Sequence, residues 1–447
     1  MQCRAGLTPT LGATMLNALL NRFRPKPPPP VAARPVAARP AASPRPAAPD
    51  AVSLAGAGAR RPLVSAQGRL AGFEFQVGAA MHGRLQGTAA SAYTTNLLGA
   101  MRLCCSQGLS ALAELPASWL AQGAQDRDLA RGMHLLLRAD ALFEDTEATC
   151  ALISRLRRAG VLVGWSPIGG PAVPKAAGAP DFMPLPAPAT PDAAAWQLAV
   201  RTASERWPAM PLLLLDLPAV DVMESLLGPP ILWAACTIGG CNEPARAQAL
   251  PPHAQRALRL LNRLLHDEDH AAVVDDIKAD AALSLRLLQY MNSAGALPGR
   301  ELDSIEQAVM LLGRDALYRW VAQMLVRMSP PRPAAHALQA TALARARLFE
   351  LLARVSQAPS PGALYLLGLA TMLPLLLQCG IDEAADAMHL APAAVQALRR
   401  QGGPWQPYIA LLQALEAADM PATEAASVPF GGHERVLACW TEAWQSI

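Results

Sequence analysis

The stretch IKADAALSLRLLQYMNSAGALPGRELDSIEQAVMLLGRDALYRWVAQMLVRM, residues 277–328, decides the fold of the second half of the chain. It reads as three closely linked helices. Asp280 stands where an N-cap is needed, and Leu283, Leu287 and Met291 follow at i, i+4 and i+8. The turn NSAGALPGRELD (292–303) then breaks the pattern. Ser304 and Gln307 have the spacing of a capping box, in which the serine oxygen accepts the N3 amide and the glutamine reaches back. Ile305, Val309 and Leu312 form the next apolar stripe. Gly313 stops that helix, and Asp315 is placed to cap a third with Leu317, Trp320, Val321 and Met324 on one face. Caps and periodicity agree throughout, which makes a helical bundle the expected architecture here.

Helical patterning extends outward from this core, beginning near residue 252 with helices over 254–266 and 270–279 and continuing to the end of the chain. The longest uncharged run, 355–381, is broken by Pro359, Pro361, Gly362 and Pro374. Its strongly apolar part is about 15 residues, against the roughly 20 that a membrane span needs. It reads as a buried helix pair, with no stable membrane insertion expected.

Towards the N-terminus the composition changes. Residues 25–50, PKPPPPVAARPVAARPAASPRPAAPD, repeat VAARP in tandem and offer almost nothing to bury, so an extended linker is expected. Ahead of it MLNALLNRFRPK (15–26) is a short basic amphipathic patch, and Met15 is a second candidate start beside Met1. The chain's net charge of +3 is segregated: residues 1–62 carry nine Lys and Arg against Asp50 alone, which leaves the remainder at −5. A body without basic excess argues against nucleic-acid binding. Eight cysteines in 447 residues, with no paired CxxC spacing and no secretory signal, fit a reducing cytoplasm and no structural zinc.

Between these parts, strands and helices alternate. RRPLVSAQGRLAGFEFQV (61–77) reads as two strands joined at AQG. ATCALISRLRRAGVLVGW (148–165) is a helix with Leu152, Leu156 and Ala159 on one face, a stop at Gly160, and a short strand. PLLLLDL (211–217) is another buried strand, and 166–190 is loop-rich. Apolar strands alternating with helices predict a parallel α/β sheet. The expected division is a basic Pro/Ala/Arg-rich tail over 1–62, an α/β domain over 63–245 and an all-helical domain over 250–447.

The helical region resembles the HDOD family over roughly 250–447, on DAALSLRLLQYMNSA, DSIEQAVMLLGRDALYRWV and ALYLLGLATMLPLLLQCGIDEAADAMHLAPAAVQALRRQGG. The resemblance implies an all-α bundle related to the HD phosphohydrolases, in which His and Asp hold metal ions that activate water. Only His266–Asp267, with His270 nearby, approximates such a set, and it falls at a helix end outside any HExxH pattern. No metal site and no cofactor are expected there.

Residues 63–245 more faintly resemble an EAL domain, the cyclic di-GMP phosphodiesterase barrel, and the order EAL then HDOD matches one signalling family. Glu74 in LAGFEFQV stands at the glutamate that names the motif, with Phe75 and Gln76 in place of Ala-Leu. The resemblance sets Glu114 at the asparagine ligand, Arg138 near the next acidic ligand, Gly164 and Trp165 at the paired aspartates, and Pro184 at the lysine. Two-metal hydrolysis needs several converging carboxylates, and this pattern keeps Glu74 as a remnant. A span of 183 residues, against about 250 for a typical (β/α)₈ barrel, suggests an incomplete one.

The expectation is therefore a bacterial cytoplasmic signal-transduction protein that is not an enzyme. It would act through protein–protein contacts of its HDOD domain with other signalling proteins, or by self-association. Asn292, Ser293, Arg300 and Arg314, polar groups at helix ends, are the candidate contacts. The alternatives are a metal-dependent phosphohydrolase on His266, Asp267 and His270, and a sensor that binds cyclic di-GMP without cutting it.

Overall fold

Strands in the first half carry apolar residues on both faces, and they pair into one sheet. The computed structural model describes residues 59–77, 79–167, 173–236, 250–265, 269–292, 304–358, 360–388 and 390–445. The strands are β1 (Ala59–Ser65), β2 (Leu70–Gln76), β3 (Ser110–Pro116), β4 (Met133–Arg138), β5 (Leu162–Trp165), β6 (Met183–Leu185), β7 (Leu212–Leu217) and β8 (Ile231–Cys236). Their order is β5-β4-β3-β2-β1-β8-β7-β6. β1 runs antiparallel to both neighbours, and the other pairs are parallel. The edges approach through Asp181, whose amide donates to the Val163 carbonyl at 2.8 Å and whose carboxylate accepts from the Val163 amide at 2.8 Å.

The sheet is thus a nearly closed eight-stranded barrel. The domain is short because connections are trimmed. A turn at Ser65–Arg69 joins β1 to β2, and the only helix described between β5 and β6 is the single turn Lys175–Ala177. β1 begins at Ala59, so Arg60 and Arg61, counted above with the tail, are buried strand residues.

Alternation along the strands sorts side chains into two cores. Leu63, Leu112, Leu136, Phe182, Leu213, Trp233 and Ala235 fill the barrel. His134 lies among them, its ring centroid 4.2 Å from that of Trp233, and burial pushes its pKa down to about 4. The outward set, including Phe73, Ala113, Leu135 and Leu214, belongs to a second cluster that continues into the helical domain.

That domain begins at Pro252. Asp280 caps the helix Ala281–Asn292 through the Ala282 and Leu283 amides, and Leu283, Leu287 and Met291 are buried as the spacing predicts. Two expected caps are corrected. The Ser304 hydroxyl bonds the Glu306 carboxylate at 2.6 Å, so no capping box with Gln307 forms. Gly313, at φ +73°, both ends Ile305–Leu312 and precedes Arg314–Arg327, which leaves Asp315 inside the first turn. The uncharged run becomes the buried helices Pro361–Ala370 and Leu373–Leu377. Among the described residues no helix is long and apolar enough to cross a membrane.

β1 passes to β2 without a helix, and the helical domain covers the exposed outer face that results. Phe73 of β2 meets Trp444 of the last helix edge to face, centroids 4.6 Å apart. Arg332 reaches from the helical domain to Glu224, at 2.8 and 2.9 Å, and to Asp221 at 2.8 Å. Residues 52–447, which contain both parts, form one unit.

Candidate functional site at the barrel mouth

In a β/α barrel, loops and strand ends at the C-terminal face carry the chemistry. Here Glu74 and Glu114 lie near the ends of β2 and β3, Arg138 ends β4, Ser166 follows β5, and Asp216 is near the end of β7. Arg61 enters from β1, directly opposite Glu74 in the antiparallel register. Apart from Ser166, these groups line one cavity of about 290 Å³ together with Gln76 and His82. Its roof comes from the helical domain, as Ala417 and Ala418 in the turn after helix Gln406–Glu416.

Arg61 organises the floor. Its Nε donates to Glu74 Oε2 at 2.7 Å and its Nη1 to Asp216 Oδ1 at 2.6 Å. The Arg61 and Glu74 side chains are 5% and 14% exposed, so that pair is shielded from solvent, whereas the Asp216 side chain is 73% exposed. Burial raises the Glu74 carboxyl above its ordinary pKa, while the Arg61 charge opposes the rise. Asp216 holds φ +59°, a left-handed conformation uncommon for a residue with a side chain. Glu114 Oε1 accepts from the Ser166 hydroxyl at 3.0 Å, and burial also raises its pKa. His82 is lowered by burial and by the Arg138 charge.

The EAL resemblance implies a pair of divalent cations, and these donors do not fit them. Magnesium wants near-octahedral oxygen ligation. Glu74 and Asp216 are both tied to Arg61, and Arg138 brings a second positive charge to the same cavity. At the position of the paired aspartates, a Cβ on Gly164 would lie 2.8 Å from the Phe182 carbonyl oxygen, so the interior has no room for a carboxylate. Pro184 is a buried strand residue with no donor atom in its side chain. Among the described residues no three His, Cys, Asp or Glu stand together as a metal cluster.

The other candidates are dispersed. His266, Asp267, Ser293 and Arg300 lie outside the described residues. His270 opens helix His270–Lys278 and is exposed. Arg314 donates to the Leu264 carbonyl at 2.9 Å, capping a neighbouring helix end, while Asn292 is exposed. Sequence reasoning missed Arg61 and Asp216. The signal for Asp216 was a lone carboxylate within LLLLDL; for Arg61 it was a charge facing Glu74 across a hairpin.

Comparison with known proteins bears on both halves. The HDOD domain model matches residues 250–392. The chain is 26% identical over 178 residues to the cyclic di-GMP phosphodiesterase CdgJ of Vibrio cholerae, covering 39% of this chain and 41% of that protein. Residues 250–392 thus form an HDOD domain. The uncharacterized protein YuxH of Bacillus subtilis is 28% identical to this chain over 171 residues, 38% of this chain and 42% of YuxH. The chain thus spans about two fifths of the length of these curated relatives. The EAL domain of Mycobacterium smegmatis DcpA shares 13% identity, with a TM-score of 0.31 over 41% of this chain and 89% of that one.

Proposed function

We propose that this EAL–HDOD protein is a catalytically silent member of cyclic di-GMP signalling. Its barrel serves as a rigid body for an HDOD domain that acts through contacts with other signalling proteins. The observation that carries the reading is Arg61, bonded to Glu74 where hydrolysis would need that carboxylate on metal, and bonded also to the neighbouring Asp216. A guanidinium stays charged at any physiological pH, so titration does not free the site. Arg138 adds to the repulsion a divalent cation would meet.

The test is direct. Purified full-length protein is incubated with cyclic di-GMP and excess Mg²⁺ or Mn²⁺, and the linear dinucleotide is followed by chromatography. No product above the protein-free control is expected. Turnover that disappears on Glu74→Gln would overturn the reading.

A further inference from the structure

Pairing Arg61 with Glu74 and Asp216 leaves Arg138 and Glu114 at the mouth outside any ion pair, although each lies within reach of the other's charge. The Arg138 side chain makes no hydrogen bond or ion pair with any described residue. Glu114, on the adjacent strand, is bonded through Oε1 to the neutral Ser166 hydroxyl. Two further groups lining the cavity each hold a buried polar atom with no partner among the described residues, Gln76 Oε1 and His82 Nδ1. Buried polar atoms are rarely left so. A cation and a carboxylate therefore flank a polar cavity that the protein's own bonds do not saturate.

We propose that this cavity binds a small zwitterion, its acidic group on Arg138 and its amine on Glu114, of the size of a free α-amino acid. A ligand with only negative charge would meet Arg138 but also Glu114, Glu74 and Asp216. A ligand with only positive charge would meet Glu114 but also Arg138 and Arg61. A zwitterion answers both sets, and Gln76 and His82 bring further hydrogen-bonding atoms to the same lining. The volume of about 290 Å³ lies at the small end of ligand pockets, roughly 300–1,000 Å³. Because Ala417 and Ala418 form the roof, the occupant would touch both domains.

The experiment is thermal shift followed by calorimetry on the full-length chain. The probes are the common L-α-amino acids one at a time, with acetate and methylamine as single-charge controls. At least one amino acid is expected to bind, and each control to bind at least about tenfold more weakly. Arg138→Met and Glu114→Gln should each weaken that amino acid by about tenfold or more. Arg138→Met should keep the wild-type unfolding midpoint, since Arg138 bonds to no described residue. The inference is overturned if no amino acid binds, if acetate or methylamine binds as well, or if Arg138→Met binds normally. Saturable cyclic di-GMP binding lost in both variants would overturn the ligand class and leave the proposed lack of hydrolysis standing.

Discussion

The turn that roofs the mouth is held by a buried ion pair, and breaking that pair should cost a large share of the protein's stability. Arg345 is fully buried in helix Ala335–Val355. Its Nε and Nη2 donate to Glu416 Oε1 and Oε2, both at 2.8 Å, and its Nη1 donates to Thr371 Oγ1 at 3.1 Å. Glu416 is the last residue of its helix, and Ala417 and Ala418 follow it directly into the roof. Arg345→Met keeps length and apolar character but leaves the carboxylate without its charge partner. Removing one partner of such a pair costs about 3–5 kcal/mol, against a total near 5–15 kcal/mol for ordinary domains. Burial already raises the Glu416 pKa, and Arg345 opposes that rise. An acid whose folded pKa exceeds its unfolded value binds more protons when folded. Stability then falls as pH climbs from the unfolded pKa through the folded one. Without Arg345 the folded pKa climbs further, so the loss should be greatest at neutral pH and shrink on acidification towards pH 5. Urea unfolding followed by tryptophan fluorescence at both pH values measures it. Arg345→Met combined with Glu416→Met should recover most of the loss, because no buried charge remains. A single variant within about 1 kcal/mol of wild type at pH 7 would refute the reasoning, as would a loss that does not shrink with acid.

Three further perturbations test the join between the domains and the proposed loss of metal binding. Gly68 sits at φ +74°, where a Cβ would lie 1.8 Å from the Pro333 carbonyl oxygen. Gly68→Ala should therefore lower stability by about 1–3 kcal/mol, read by urea unfolding. Trp444→Ala removes the ring that covers Phe73, and about 3–5 kcal/mol should be lost, with faster tryptic cleavage of the native protein. Gly164→Asp restores a carboxylate to the sequence pattern but forces it against the Phe182 backbone. It should lower the unfolding midpoint and give no Mn²⁺ binding by calorimetry.

How much of this was legible differs between the two halves for a physical reason. Helix signals are local, so Asp280, the Leu283–Leu287–Met291 face and Gly313 could be read within a few residues of one another. The failures there were local too. Glu306, one position before the expected partner, captured the Ser304 hydroxyl. The barrel is built from long-range pairings. Arg61 and Asp216 are 155 residues apart, and a charge count assigns the first to a basic tail. Strands such as LLLLDL are buried on both faces, so they lack the alternation that would say which side chains look into the barrel. The strands' existence could be read, but the convergence of their ends could not.

The two domains share a core, and this shapes what the protein can do. In ordinary two-domain chains, relative motion is expected unless the interface is large and hydrophobic. Here the cluster on the barrel's outer face continues without a break into the helical domain. The Phe73–Trp444 contact lies within that join, and the Arg332–Glu224 pair lies at its edge. Independent rocking of the two domains would expose that apolar surface. The uncovered side of the β1–β2 hairpin, which would need its own cover in an isolated barrel, is what the helical domain buries. A change at the mouth therefore acts on Ala417 and Ala418, and through Glu416 on Arg345 in the long central helix, with no hinge needed. Whatever occupies the mouth therefore already rests on the helical domain through Ala417 and Ala418.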